Sequence, residues 1–466
     1  MQQHNTAPTA LDRRTFGQQV TGLAAAPLLA ALPTGSQGAS SKDGHLPDAA
    51  NRSSLIAPSE EHPHAATYMA FASDADGIWT QPSRDNAGLS RVRSDLIDVA
   101  KAIGAFEPVK MMVLSASERA AAQALLERAS GANPDVHQLY NSRSKNVGGV
   151  ELILTPRGFN DYWTRDTAPV FVKDAANGNR LTALDFNFNG WGNANSRSRE
   201  APRSSNHTKT AAFYQPYAND QKIAAAIAAR HQAPLVKSSL VLEGGALEWD
   251  GEGCAIVTAS SVLHVNRNPQ LFDVTTSGRQ IESARLKPTA KATVQAELKR
   301  LLGVSKVIWL SGTDAFPDVE VDEETDITNG HVDFYAKFLA PGVVAYAYDP
   351  HDSTGEKAIT ARHQRELSGQ TDAQGRRLQL VPLVTPREYS ARLTRSQSKN
   401  FAAGYINFYH CNGAIILPKF GDPEADAAAV KALEPYLGKR RIVQVEITGI
   451  ASGGGGLHCA TSQVPA

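Results

Sequence analysis

Gly453-Gly454-Gly455-Gly456-Leu457-His458-Cys459 lies seven residues from the C-terminus of a 466-residue chain, and the rest of the sequence is read outward from it. Four consecutive glycines cost chain entropy, so such a run marks backbone that needs unusual dihedrals or a close approach to another group. The run delivers one of only three cysteines. A nucleophilic sulfur needs this kind of approach, because it must meet its substrate at short range while neighbouring side chains stay clear. A glycine-rich turn beside an inert core thiol is the competing reading of this stretch alone.

The other two cysteines point to the core. Cys254 sits in Gly253-Cys254-Ala255-Ile256-Val257 and Cys411 in Phe408-Tyr409-His410-Cys411-Asn412. Both are apolar, strand-like contexts in which cysteine behaves as a small hydrophobe. Three cysteines leave at least one free thiol in a monomer, and Cys459 is the candidate.

Composition is that of a globular protein with a sizeable core: 42% hydrophobic and 20% charged residues. Lys+Arg and Asp+Glu both number 47, a balance that argues against nucleic acid or an anionic membrane as partner. Arg13-Arg14-Thr15-Phe16 precedes an apolar run from Val20 to Leu32, which is similar to a twin-arginine export signal. That run is shorter than a membrane span requires, so no permanent anchor is expected. Residues 1–40 are read as a removable leader, 41–55 as a flexible linker and 56–466 as one catalytic domain. The expected location is periplasmic or secreted, by the twin-arginine route.

Helical periodicity followed by an apolar run recurs along the domain. Leu89–Ile103 leads to Val109–Leu114, and Ser117–Ala129 is a further helix. Asn219–Arg230 precedes Leu235–Leu242, Pro288–Leu302 precedes Lys306–Leu310, and Pro423–Leu437 precedes Arg441–Ile447. Repeated α-then-β units imply helices packed outside sheets, an α/β or α+β domain. No repeat is visible by identity. Asn195 to Thr210 breaks the rhythm with a polar, arginine-rich segment read as a surface loop.

Four stretches carry chemistry: Asn160 to Pro169 with Asp166, Leu242-Glu243-Gly244-Gly245, Thr328 to Asp333 with His331, and Gly453 to Cys459. His331 and Asp333 are two apart and would share a face if they lay on a strand. A thiolate needs an acid/base partner, a part His331 is able to take. Two carboxylates beside a thiol raise its pKa, an arrangement that makes sense when the substrate brings positive charge. A planar guanidinium fits, since carboxylates accept its donors in pairs. Asp166 and Asp333 would then aim its carbon at Cys459.

Read in order, these motifs resemble the agmatine deiminases and the Porphyromonas-type peptidylarginine deiminases of the guanidino-group-modifying superfamily. The resemblance spans roughly Ile56 to Ala466. It rests on Pro63 to Ala70, Trp163-Thr164-Arg165-Asp166-Thr167-Ala168-Pro169, Phe188-Asn189-Gly190-Trp191-Gly192 and Glu243-Gly244-Gly245. Asn266-Arg267-Asn268-Pro269, Gly330-His331-Val332-Asp333, Tyr405 to Tyr409 and Gly454 to Cys459 complete it. It implies a five-bladed α/β propeller (pentein) with pseudo-fivefold symmetry and a central active site. Cys459 matches the nucleophile, His331 the general acid/base, and Asp166 and Asp333 the guanidinium-binding acids. Glu243, Trp163, Asn189, Trp191 and Arg165 are implied around the substrate, with no metal or cofactor. Ala168, Met69-Ala70-Phe71 and Leu457 depart from the family pattern without removing any of these roles.

The implied substrate is a small guanidinium compound, with self-association left open. The Phe-Asn-x-Trp-Gly motif favours agmatine; Arg197, Arg199 and Arg203 favour a carboxylate-ended substrate, free or peptidyl arginine. Two other classes use the same residues. A metallohydrolase would ligate its metal with His331, Asp333, His458 and Cys459. A non-catalytic exported binding protein would keep the pocket without needing the sulfur.

Overall fold

A computed structural model describes residues 53–73, 88–155, 158–192, 216–277, 280–313, 328–353, 356–387 and 401–466. These fall within one compact unit spanning Ala50–Ala466. The leader, most of the linker and the arginine-rich segment 195–210 lie outside the described residues. Of the expected linker, Leu55 already belongs to a strand, paired with Asp174.

The fold is α/β, and its described strands form five sheets of three or four strands plus one two-stranded hairpin. None is a closed sheet. A common plan underlies the five: two antiparallel strands, a helix, then a third strand parallel to the second. In the second module Val170–Asp174 pairs with Arg180–Asp185, and Leu235–Lys237 follows the helix Ile223–Arg230. The third joins Leu247–Trp249, Cys254–Thr258 and Lys306–Leu310 through the helix Ala290–Leu302. The fourth joins Ala336–Ala340, Val343–Tyr348 and Gln379–Val384 through Lys357–Leu367. The fifth joins Tyr409–Cys411, Ala414–Lys419 and Arg441–Glu446 through Pro423–Leu433.

The first module closes the chain on itself. Its opening strand is the C-terminal Ser462–Pro465, antiparallel to His64–Ala70. The helix Gly88–Gly104 then returns the chain to Val109–Val113, and Val150–Leu154 adds a fourth strand. Pairing the last strand with an early one carries Cys459 back to the N-terminal half of the fold.

Sequence explains these elements locally. Middle strands such as Cys254–Thr258 are buried at every position, as apolar strands covered on both faces should be. The helix Pro423–Leu433 starts on Asp422, whose side chain accepts the Ala425 N–H at 3.0 Å, with proline in its first turn. Cys254 and Cys411 are buried and free, as expected. Among the described residues, no helix is long and apolar enough to cross a membrane.

Two expectations are corrected. The strand expected over Leu235–Leu242 stops at Lys237, and the chain runs irregularly to Glu243. His331 and Asp333 do not lie on a strand: Val332–Phe334 is a single 3-10 turn ahead of the strand Ala336–Ala340.

Candidate active site

The modules deliver their chemistry from equivalent places, each just before the module's first strand. Asp166 lies in the helical turn Thr164–Thr167 ahead of Val170–Asp174. Glu243 precedes the turn Gly244–Ala246 ahead of Leu247–Trp249. His331 and Asp333 stand before Ala336–Ala340, Asn407 before Tyr409–Cys411, and Cys459 before Ser462–Pro465. Five sequence-distant segments thereby meet in one buried cluster.

Gly245 measures how tightly they meet. A β-carbon there would lie 2.6 Å from His331 Nδ1, 2.9 Å from Asp166 Oδ1 and 3.2 Å from Asp333 Oδ2. The C-terminal glycine run is explained the same way. Side chains at Gly455 and Gly456 would overlap the Trp163 ring and the Asn407 amide respectively. Only Gly454 of the run needs a left-handed backbone, at φ 86°. Close approach is the main demand.

The sulfur of Cys459 lies 3.4 Å from Asp333 Oδ2 and 3.4 Å from Asn407 Nδ2. Asn407 Oδ1 accepts the backbone N–H groups of His458 and Cys459 at 2.8 and 3.3 Å, which turns its NH2 toward the sulfur. Burial pushes the Cys459 thiol well above its ordinary pKa, and Asp333 and Asp166 push it further. The free site therefore holds a neutral thiol, as two flanking carboxylates predict.

His331 donates from Nε2 to Glu243 Oε2 at 3.2 Å, while Nδ1 stands 3.7 Å from Asp166 Oδ1. Burial opposes its protonation, yet Asp166, Glu243 and Asp333 together push it up to about 9. It is an imidazolium at neutral pH. Glu243 is held at about 2 despite burial, because Arg267 pairs with both its oxygens and His331 adds a further bond. Asp166 accepts from Gly245 N–H at 3.0 Å and from Trp191 Nε1 at 2.9 Å. Burial raises its pKa against the pull of His331, with Glu243 and Asp333 adding to the rise. Among the described residues, His331 Nδ1 and Asp333 Oδ1 are buried without a hydrogen-bond partner. Both belong to the cluster that meets at Gly245 and are open to a partner brought by a ligand.

Not every expected residue faces that space. Arg165 is turned away from it and committed to Glu60 Oε2 at 3.1 Å and Gln463 Oε1 at 2.8 Å. Its backbone N–H bonds the Cys459 carbonyl at 3.0 Å, so it braces the cysteine segment from behind. Asn189 accepts Gly192 N–H at 2.7 Å and donates to the Asn266 carbonyl, holding the turn that presents Trp191. Trp163 packs under Gly455, and Glu243 serves the imidazole. Glu60, Arg267 and Asn407 were assigned no role from sequence, and His458 only that of a metal ligand in the metallohydrolase alternative. Three of them lay within or beside matched motifs, which was the available signal; Glu60 lay just before one.

Residues 56–465 match the family described as Porphyromonas-type peptidyl-arginine deiminase. The chain belongs to that family. It is 30% identical over 436 residues to the agmatine deiminase of Medicago truncatula, covering 88% of this chain and 96% of that one. Identity to the Stutzerimonas stutzeri agmatine deiminase is 30% over 423 residues, covering 88% and 95%. A solved structure of the Enterococcus faecalis agmatine deiminase superposes with a TM-score of 0.66 at 25% identity, over 88% and 96% of the two chains. The family's chemistry makes this chain a hydrolase of carbon–nitrogen bonds.

Proposed function

We propose that this protein hydrolyses the guanidinium group of agmatine to N-carbamoylputrescine and ammonia, through a covalent intermediate on Cys459. The observation that carries the reading is the convergence of Cys459, His331, Asp166 and Asp333 around one buried space. The names of the relatives support agmatine as substrate.

Asp166 and Asp333 bind the guanidinium through charge-assisted hydrogen bonds, Asp333 with its open Oδ1. Its positive charge offsets the carboxylates that keep the thiol protonated, and the thiol proton leaves to solvent. Asn407 Nδ2 then faces a thiolate. Sulfur attacks the guanidinium carbon, and imidazolium His331 gives its proton to the departing nitrogen, which leaves as ammonia. An S-alkylthiouronium remains. Neutral His331 takes one proton from water, whose oxygen adds to the same carbon; as the C–S bond breaks, the remaining hydroxyl proton passes to the sulfur, restoring the thiol, and the ureido product departs.

The second reading, deimination of free or peptidyl arginine, is favoured by the family's description and by Arg197, Arg199 and Arg203. Assaying the ureido product from agmatine, arginine and a peptide ending in arginine decides between them, and no product from any of the three sinks both. The metallohydrolase reading has less support. His458, one of its four ligands, has both ring nitrogens within hydrogen-bond distance of carboxylates, at 2.8 Å from Asp333 and 2.7 Å from Glu60.

The five modules are, on this proposal, five blades of a propeller with the site at its centre. The equivalent placement of the site residues before each first strand supports that arrangement. Export by residues 1–40 is also proposed. Replacing Arg13 and Arg14 by lysine should leave the protein in the cytoplasm; unaltered secretion of that variant would refute the route.

The site's two protons set the pH dependence. The free enzyme holds a neutral thiol and a His331 raised to about 9, while the reacting form has lost one proton. Hence kcat/KM should climb through neutral pH, by about tenfold per unit, and level near pH 9, the value belonging to the coupled pair. Stability should move oppositely. A histidine raised from 6.5 to about 9 stabilises the fold fully below pH 6.5 and loses that contribution as pH rises through 9. Rate and melting profiles that are flat from pH 6 to 9 would contradict both.

A further inference from the structure

Behind Asp333, away from the substrate face, lies a chain of buried charges that the mechanism above does not use. His458 Nδ1 stands 2.8 Å from Asp333 Oδ2, and its Nε2 stands 2.7 Å from Glu60 Oε2. Glu60 is in turn held by Lys337 at 2.9 Å, by Arg165 at 3.1 Å and by the His410 backbone N–H at 3.0 Å. An ionised carboxylate only accepts, so both imidazole nitrogens donate. The ring can neither rotate nor shift without breaking a bond to one acid or the other.

This fixes how Asp333 is presented. Its Oδ2 is taken by His458 and faces the Cys459 sulfur at 3.4 Å, while Oδ1 has no partner among the described residues. We propose that His458 and Glu60 are a positioning pair: Glu60, acting through His458, locks Asp333 with one oxygen on the sulfur side and the other open to the guanidinium. The inference rests on the deiminase reading and deepens it, by naming what keeps an acid ionised and aimed in a buried site.

The charges around the pair bear on its pH behaviour. Cys459, Asp166 and His331 face Asp333 from the substrate side, and Lys337 faces it from behind. Arg165 approaches His458 through the His458 carbonyl. Glu248 and Glu61 lie beyond Glu60 and Lys337, Glu61 being also beside Arg440. Burial would raise Asp333, but the hydrogen bond and charge of His458, then His331 and Lys337, hold it below the ordinary range. Without His458, Asp333 should take up a proton at higher pH and release the guanidinium there.

Two near-isosteres of histidine separate positioning from mere packing. His458→Asn keeps a donor where Nδ1 stands, toward Asp333, and loses the link to Glu60. His458→Gln keeps a donor where Nε2 stands, toward Glu60, and loses Asp333. In a Cys459→Ala background, agmatine and arginine binding is measured by calorimetry from pH 5 to 9. His458→Gln should weaken the tighter ligand by about tenfold or more, the worth of a hydrogen bond to a charged group. Its loss of binding on acidification should begin about one pH unit higher, and His458→Asn, which keeps the donor to Asp333 but neither the charge nor the link to Glu60, should restore part of both.

If His458→Gln does not fold, Glu60→Gln serves, with a smaller shift in the same direction. Identical binding profiles for the parent and the folded variants overturn the positioning pair alone. A Cys459→Ala parent that binds no guanidinium compound overturns the deiminase reading and this inference with it.

Discussion

Cys459→Ala should lower turnover of the guanidinium substrate by at least about 10,000-fold while leaving its binding nearly intact. The magnitude follows from the role: when a covalent nucleophile is removed, the remaining groups still bind and polarise the substrate but cannot form the intermediate. Binding survives because the anchoring acids, Asp166 and Asp333, keep their own partners, Gly245 and Trp191 for one and His458 for the other. The fold should not suffer either. The thiol is buried beside two carboxylates that oppose its ionisation, a placement that serves reaction rather than stability. Turnover by progress curves, binding by calorimetry and melting by circular dichroism together check this. Residual turnover above about a hundredth of the parent would end the covalent proposal. Lost binding would instead count against Asp166 and Asp333 as guanidinium anchors, and so against the deiminase reading itself.

How far the sequence foretold this site depends on the range over which each residue acts. Cys459, His331, Asp166 and Asp333 stood inside compact motifs of glycine, proline and aromatic residues, and the structure brings all four together. Their supports were not read as such, because they act over long separations: Glu243 stood in a motif but was implied around the substrate, not on the imidazole. Glu60 meets His458 across 398 positions, and Glu243 meets His331 across 88. Nothing local in Glu60 marks it as the acid behind the Cys459 segment.

The same division applies to the fold. Helices with broad apolar stripes were legible, as in Gly88–Gly104 and Ala290–Leu302. The helices Pro134–Val147 and Lys357–Leu367 were not read. The first buries only Val136 and the second only Thr360, His363 and Leu367, too few to leave a period in the sequence. Missing the second hid the fourth module, and with it the common plan of all five. For His331 and Asp333 the alternation argument reached a shared face by the wrong geometry, since a 3-10 turn, not a strand, carries them. The glycine run was read correctly as close approach, with Trp163 and Asn407 as the groups approached.

The second large effect belongs to Asp333→Asn, and it should move two measurements in opposite directions. The substitution fits sterically: the amide oxygen accepts from His458 in place of Oδ2, and the NH2 takes the position of the unpartnered Oδ1. It thereby turns a donor toward a substrate that is all donors. Losing one acid of a buried charge pair costs about 2–5 kcal/mol, so kcat/KM should fall on the order of 1,000-fold. After burial, Asp333 is the strongest influence raising the Cys459 pKa. Removing its charge should make the thiol easier to ionise, and neutral iodoacetamide should alkylate Cys459 several-fold faster at pH 8 than in the parent. Were Asp333 instead a base that activates the sulfur, alkylation and deimination would slow together. Faster alkylation alongside lost turnover is expected only if the acids hold the thiol in reserve until a cationic substrate neutralises them.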